Sequence, residues 1–136
     1  MIIQPPGGES LRVRFVATYV ECGQTRVLID PGAMLAPNRF NLEPADEEWQ
    51  ALRRANDRIS AYAARASLLF VSHYHEEHFR YDPGLYAGRA LWAKDPKRHI
   101  AGRQALRAAT LWKGLTGRCE PDVAEGRRLE TADTTL

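Results

Sequence analysis

Three imidazoles and two carboxylates fall in one short stretch, Ser72-His73-Tyr74-His75-Glu76-Glu77-His78, directly after the apolar run Leu68-Leu69-Phe70-Val71. Imidazole with carboxylate is the donor set of zinc, iron and manganese, and a strand that ends abruptly in such groups aims several donor atoms at one point. If the segment is an extended loop entering a helix, His73 and His75 project to one side. Glu77 and His78 then begin the next turn and address an adjacent position. The expectation is one or two divalent ions. A pair about 3.5 to 4 Å apart would share a water whose pKa falls towards neutrality and so supply a nucleophile. Glu76 is the alternative carboxylate, but neighbouring residues point in different directions, so Glu77 is preferred. The competing reading, a solvated loop without metal, suits a single histidine better than three.

A second carboxylate is placed by the segment Arg26-Val27-Leu28-Ile29-Asp30-Pro31-Gly32. Proline cannot continue a strand and glycine tolerates positive φ, so Asp30 stands at a strand end where it can point to a site or merely bond the turn backbone. Around these residues the periodicities predict a scaffold. Leu11 to Val20 alternates as a strand with Val13, Phe15, Ala17 and Tyr19 on one face, and Cys22 to Thr25 turns it back into Arg26–Ile29 as a hairpin. Ala33 to Asn41 reads as loop, with Pro37 and Asn38 as breakers and Phe40 as an anchor. A long helix follows from Pro44, its first turn acidic and its core stripe Trp49, Leu52, Ile59, Tyr62 and Ala66, with Arg53, Arg54 and Arg58 solvated.

Leu68–Val71 is too short for a helix and fits a strand buried on both faces. Ala90–Ala93 is another, and a second helix is expected from Pro96 or Lys97 to about Leu115, weakened at Gly102. The tail has turns at Pro121 and Glu125-Gly126, and Thr134-Thr135-Leu136 has the look of a strand beginning. The order of elements gives an α/β layered fold in a single domain over residues 1–136.

Composition narrows the class. With 136 residues, 44% hydrophobic and 26% charged, the chain suits one soluble globular domain. No apolar run approaches a membrane span and the first residues lack the blocks of a signal peptide, so a cytoplasmic location is the default expectation. Cys22 and Cys119 form no CxxC pair and read as reduced thiols.

His73-x-His75-x-Glu77-His78 after an apolar strand resembles the HxHxDH signature of the metallo-β-lactamase fold superfamily, and Val27-Leu28-Ile29-Asp30-Pro31-Gly32 resembles its first motif. With Ala17-Thr18-Tyr19-Val20-Glu21 and Ala93-Lys94-Asp95-Pro96, the chain is similar to an uncharacterised group of predicted metal-dependent hydrolases widespread in archaea. The resemblance implies an αβ/βα sandwich and hydrolysis of esters, phosphodiesters, thioesters or lactams. It also implies that His73 and His75 bind one metal and Glu77 and His78 a second, with Asp30 orienting the histidine loop. Two departures stand out: glutamate at position 77 replaces the aspartate of the pattern, and the later histidines and bridging aspartate have no counterpart here. The expectation is a fragment corresponding to the N-terminal half of a longer hydrolase.

Two rival readings remain at this level. One is a metal-binding but inactive remnant. The other is a phosphate- or nucleic-acid-binding module using Lys97, Arg98, Arg103 and Arg107 on one helix beside Trp112, although the net charge of +2 is too small to argue for it alone. His99, the remaining histidine, lies among these basic residues and is expected to be solvated.

Overall fold

The computed structural model describes residues 1–6, 12–37 and 40–130. In chain order the elements are strands β1 (Ile2–Gln4), β2 (Val13–Arg14), β3 (Thr18–Cys22), β4 (Thr25–Ile29) and β5 (Met34–Leu35), helix α1 (Asp46–Arg65), strand β6 (Leu68–Val71), a 3₁₀ turn (Pro83–Leu85), strand β7 (Ala90–Ala93), helix α2 (Gly102–Leu115) and strand β8 (Asp122–Val123). Six strands form a mixed sheet in the order β1-β3-β4-β6-β7-β8, and β2 pairs with β5 separately. From β4 to β8 the pairing is parallel. Three crossovers join these parallel strands: α1 from β4 to β6, the histidine loop with the 3₁₀ turn from β6 to β7, and α2 from β7 to β8.

Both helices lie on the same face of the main sheet. One core joins Ala55, Ile59 and Ala63 of α1 and Ala108, Leu111 and Leu115 of α2 with Tyr19, Leu28, Leu69, Val71, Leu91 and Ala93 from alternating strand positions. The general α/β class is therefore the observed one. The αβ/βα sandwich expected from the resemblance is not: the described residues form one helical layer on one main sheet, with no second helix layer opposite.

The single strand expected over Leu11–Val20 is broken in two, because Val13–Arg14 pairs with Met34–Leu35 and Thr18–Cys22 joins the main sheet. Leu11 itself, Asn38 and the Thr134–Leu136 segment lie outside the described residues. The alternation held across the break, since Val13, Phe15, Ala17 and Tyr19 are all buried. Helix α1 buries Ala51, Ala55, Ile59 and Ala63, with Leu52 and Tyr62 at the margins. Ala51, Ala55 and Ala63 lie with Ile59 in one i, i+4 row, so the face turned to the core is made mostly of small residues. Trp49, expected in that stripe, is turned outwards and 45% exposed.

Helix α2 begins six residues later than the earliest expected start. The Asp95 carboxylate accepts the backbone N–H groups of Lys97 and Arg98 at 2.8 and 3.1 Å, folding them into a turn, and His99 and Gly102 both adopt positive φ. An α-helix does not pass through His99 in this conformation, and Gly102 stands as the first residue of α2. Lys97 and Arg98 therefore lie outside the helix, and the continuous basic stripe expected over 97–107 does not form. None of the described helices is long and apolar enough to cross a membrane.

Candidate metal centre

Parallel pairing puts the C-terminal ends of β4, β6 and β7 along one edge of the sheet, the edge where open α/β sheets present their ligand-binding groups. Asp30 follows β4 and Ser72-His73 follow β6 there. The two strands are locked in register, with Ile29 opposite Phe70 and the Asp30 N–H donated to the Phe70 carbonyl at 2.8 Å.

Asp30 is the only buried charged residue among those described, 7% exposed, and its backbone takes φ 51°. Such a conformation is tolerated better by aspartate than by most residues, and here it swings the carboxylate across to the next strand. Oδ1 accepts the Ser72 N–H at 2.8 Å. Oδ2 receives the Ser72 hydroxyl at 2.7 Å and lies 3.0 Å from His78 Nδ1. Ser72 Oγ lies in turn 2.9 Å from His73 Nδ1. An ionised carboxylate only accepts, so the serine proton points to Asp30 and the serine oxygen is left to accept from His73. Asp30 thereby fixes both His73 and His78 as tautomers with the proton on Nδ1 and a lone pair on Nε2, the arrangement expected behind metal-binding imidazoles.

The rings of His73 and His78 have centroids 3.9 Å apart, and Asp30, His73 and His78 each offer a ligand atom within 4.8 Å of the others. His75 approaches from the exposed side, its Nδ1 3.0 Å from His73 Nε2. Between the two histidines, Tyr74 points the opposite way, into the core, where its hydroxyl bonds the Lys94 carbonyl and accepts the Trp112 indole N–H at 2.8 Å. The period of an extended chain thus puts two imidazoles outwards and one anchor inwards. No helix follows the cluster. The loop closes instead through a turn, with the His78 N–H donated to the His75 carbonyl at 2.9 Å.

Burial lowers the pKa of His73 below its ordinary value, and the neighbouring His78 acts in the same direction. A neutral imidazole is the form that ligates a metal. Glu77 is half-buried and its charge acts on His73, but it offers no ligand atom to the Asp30–His73–His78 group. Glu76 faces helix α2, where Arg107 Nε lies 3.5 Å from its carboxylate. His99 is exposed and lines a separate cavity with Asp95, Arg98, Val123 and Glu125.

Sequence reasoning missed two members of the site. Ser72 carries the effect of Asp30 to His73, and its position directly after the strand was the available signal. Gln104, on the first turn of α2, accepts the Tyr74 N–H at 3.1 Å and reaches towards His75. A glutamine in a helix carries no mark of such a role.

The chain is similar along its entire length to the UPF0282 protein of Korarchaeum cryptofilum (37% identity, covering 46% of that protein) and to that of Methanopyrus kandleri (35% identity, covering 51%). It is 37% identical to the UPF0282 protein of Methanocaldococcus jannaschii, matching 98% of this chain and 47% of that protein. The chain spans about half the length of the curated relatives it matches. No family model and no solved structure matches it. These findings overturn the resemblance to the metallo-β-lactamase superfamily, since the relatives carry the UPF0282 name and nothing points to that superfamily. The reason is physical: a few imidazoles after a strand are a local solution to gathering ligands, and unrelated scaffolds can arrive at it.

Proposed function

We propose that the chain carries a divalent-cation site formed by His73, His75 and His78, with Asp30 as its anchor, and serves in a metal-dependent hydrolase acting on a small-molecule ester or phosphoester. The observation that carries this reading is the buried Asp30 carboxylate, which ties down the Nδ1 side of two imidazoles and leaves their Nε2 lone pairs on neighbouring rings. A carboxylate spent on fixing tautomers is costly to bury and is what ligating histidines require. Nitrogen donors with carboxylates close by suit zinc, with iron or manganese as alternatives. The bound cation would supply Lewis acidity and a water of lowered pKa.

The residues of the chain do the rest. Asp30 and Ser72 hold the rings, and Tyr74 anchors the loop to β7 and α2. Glu77, whose charge acts on His73, is the carboxylate available as a further ligand or proton acceptor. A metal-holding chain without turnover is the second reading, favoured by Glu77 offering no ligand atom to the Asp30–His73–His78 group. A nucleic-acid role has less support, because Lys97 and Arg98 lie off the helix and Arg107 is engaged with Glu76 and the Tyr74 carbonyl.

The test is the elemental metal content of the purified chain beside the His73→Ala, His75→Ala double variant. The expected result is about one or more metals per chain, lost in the variant. Trace metal equal in both would overturn the reading. If metal is held, esterase and phosphodiesterase assays with and without chelator separate hydrolase from inactive holder.

A further inference from the structure

The hydrogen-bond chain that begins at Asp30 does not end at His73. From the carboxylate, donors and acceptors are forced step by step: the Ser72 hydroxyl donates to Asp30, His73 Nδ1–H donates to Ser72 Oγ, and His73 Nε2 is left as an acceptor. The group facing that acceptor at 3.0 Å is His75 Nδ1, so this contact favours the proton on that nitrogen. His75 Nε2 is then a lone pair. The same chain can be followed from its other end. The Tyr74 backbone N–H can only donate, so the Gln104 atom 3.1 Å from it is the amide oxygen, and the other arm of that amide is its NH₂ group. This arm faces His75 Nε2 at 3.5 Å. The two countings start from different groups, the Asp30 carboxylate after β4 and the Tyr74 N–H in the loop after β6, and agree where they meet, donor against acceptor.

We propose that Gln104 is a positioning residue of the metal centre: it holds His75 with the proton on Nδ1, the nitrogen facing His73, and so sets how tightly a cation can be gripped between the two rings. The proposal rests on the metal-site reading for its consequence, but the tautomer itself belongs to the metal-free protein. A cation between His73 Nε2 and His75 Nδ1 needs a lone pair on each. His75 must then move its proton to Nε2, where it confronts the Gln104 NH₂, donor against donor. Turning the amide over does not relieve this, since the NH₂ would then face the Tyr74 N–H. Helix α2 thus opposes recruitment of His75, while His73 and His78, fixed by Asp30, are already in the ligating tautomer.

Long-range proton–nitrogen NMR of the imidazole rings tests this in the metal-free full chain, at a pH where the histidines are neutral. The expected result is Nδ1–H for His75 in the wild type. Gln104→Glu, which keeps an acceptor for Tyr74 and offers a second to His75, is expected to move the proton to Nε2. Gln104→Met, which has neither group and leaves His73 Nε2 as the one partner still calling for Nδ1–H, is expected to raise the share of the Nε2–H form that free imidazole favours. An Nδ1–H share unchanged in either variant, or Nε2–H already in the wild type, overturns the proposal. Zinc titration against a competing chelator gives the second readout. Tighter zinc in Gln104→Met, which adds no charge, supports the opposition described. Unchanged or weaker zinc in that variant shows that Gln104 does not oppose recruitment of His75 and overturns it. Absence of zinc binding in every form defeats the metal-site reading and the consequence drawn from it, while the tautomer assignment is decided by NMR.

Discussion

At the scale of single residues, the energetic weight of the site sits on Asp30. Its carboxylate is buried with hydrogen bonds from the Ser72 N–H, the Ser72 hydroxyl and His78. Asp30→Asn keeps the shape but replaces one acceptor oxygen by a donor, so at least one of these contacts becomes a donor facing a donor. The expected loss is about 1–3 kcal/mol of folding stability, read by denaturant unfolding. Where metal is bound, the expected loss of affinity is about 10–100-fold. Unchanged stability and affinity would show that the hub is ornamental. The aspartate and the histidines were legible because their chemistry is visible in single letters and their spacing follows a strand end. Gln104 was not, because its role arises from a contact across thirty positions of chain that only the packing of α2 creates.

Tyr74 is a second residue-scale case, and its titration gives a pH dependence. Burial pushes its phenol up to about 12, and burial raises Tyr86 as well. A phenol whose folded pKa lies above its ordinary value keeps its proton over a range in which the unfolded chain has lost it. The stability it contributes is complete below the ordinary pKa of about 10 and is lost as pH rises through that value towards 12. Denaturant midpoints are therefore expected to fall above pH 10. In Tyr74→Phe that fall should be shallower, although the variant starts from a lower midpoint because the Trp112 indole N–H and the Lys94 carbonyl lose their partner. An equally steep fall in the variant would remove Tyr74 from this account.

At the scale of elements, the site is built where two chain segments come closer than side chains allow. Gly32, just past β4, lies against the loop that carries His78, and a Cβ there would overlap the backbone of Phe79 and His78. The constraint is close approach, not an unusual φ. Gly32→Ala is expected to push the His78 turn away from Asp30, at about 1–3 kcal/mol for an overpacked site. His78 Nδ1 should lose its link to Asp30 in the same imidazole spectra. Unmoved resonances with full stability would mean that the loop yields without consequence. The sequence indicated a turn at Pro31-Gly32, but which backbone would pass over the glycine depends on tertiary packing. Element boundaries show the same division. Strands β4, β6 and β7 were readable from short apolar runs between turn residues, whereas the start of α2 depended on Asp95 capturing two N–H groups that helix propensity would have assigned to the helix.

At the scale of the molecule, the parallel strands β4, β6 and β7 are apolar on both faces, and the helices cover only one. The other face presents Val20, Val27, Ile29, Leu68, Phe70 and Trp92 around an open cavity of about 250 Å³, bordered by Ala124, Arg127 and Leu129. Val27 and Leu68 are buried, while Ile29, Phe70 and Trp92 are half-buried. Parallel sheets are normally covered on both sides, so this surface is less enclosed than its pairing pattern calls for. The isolated chain is therefore expected to bind an environment-sensitive hydrophobic dye in its native state. Phe70→Thr puts a β-branched residue, which suits a strand, in place of the aromatic ring on that face. Dye fluorescence should drop in this variant while the far-ultraviolet circular dichroism of the fold is retained. Equal fluorescence in both would show that the face is closed in solution. It would also move the site's support from the sheet as a whole to the helical side alone, where α1 and α2 already enclose the strands that end in Asp30 and the histidines.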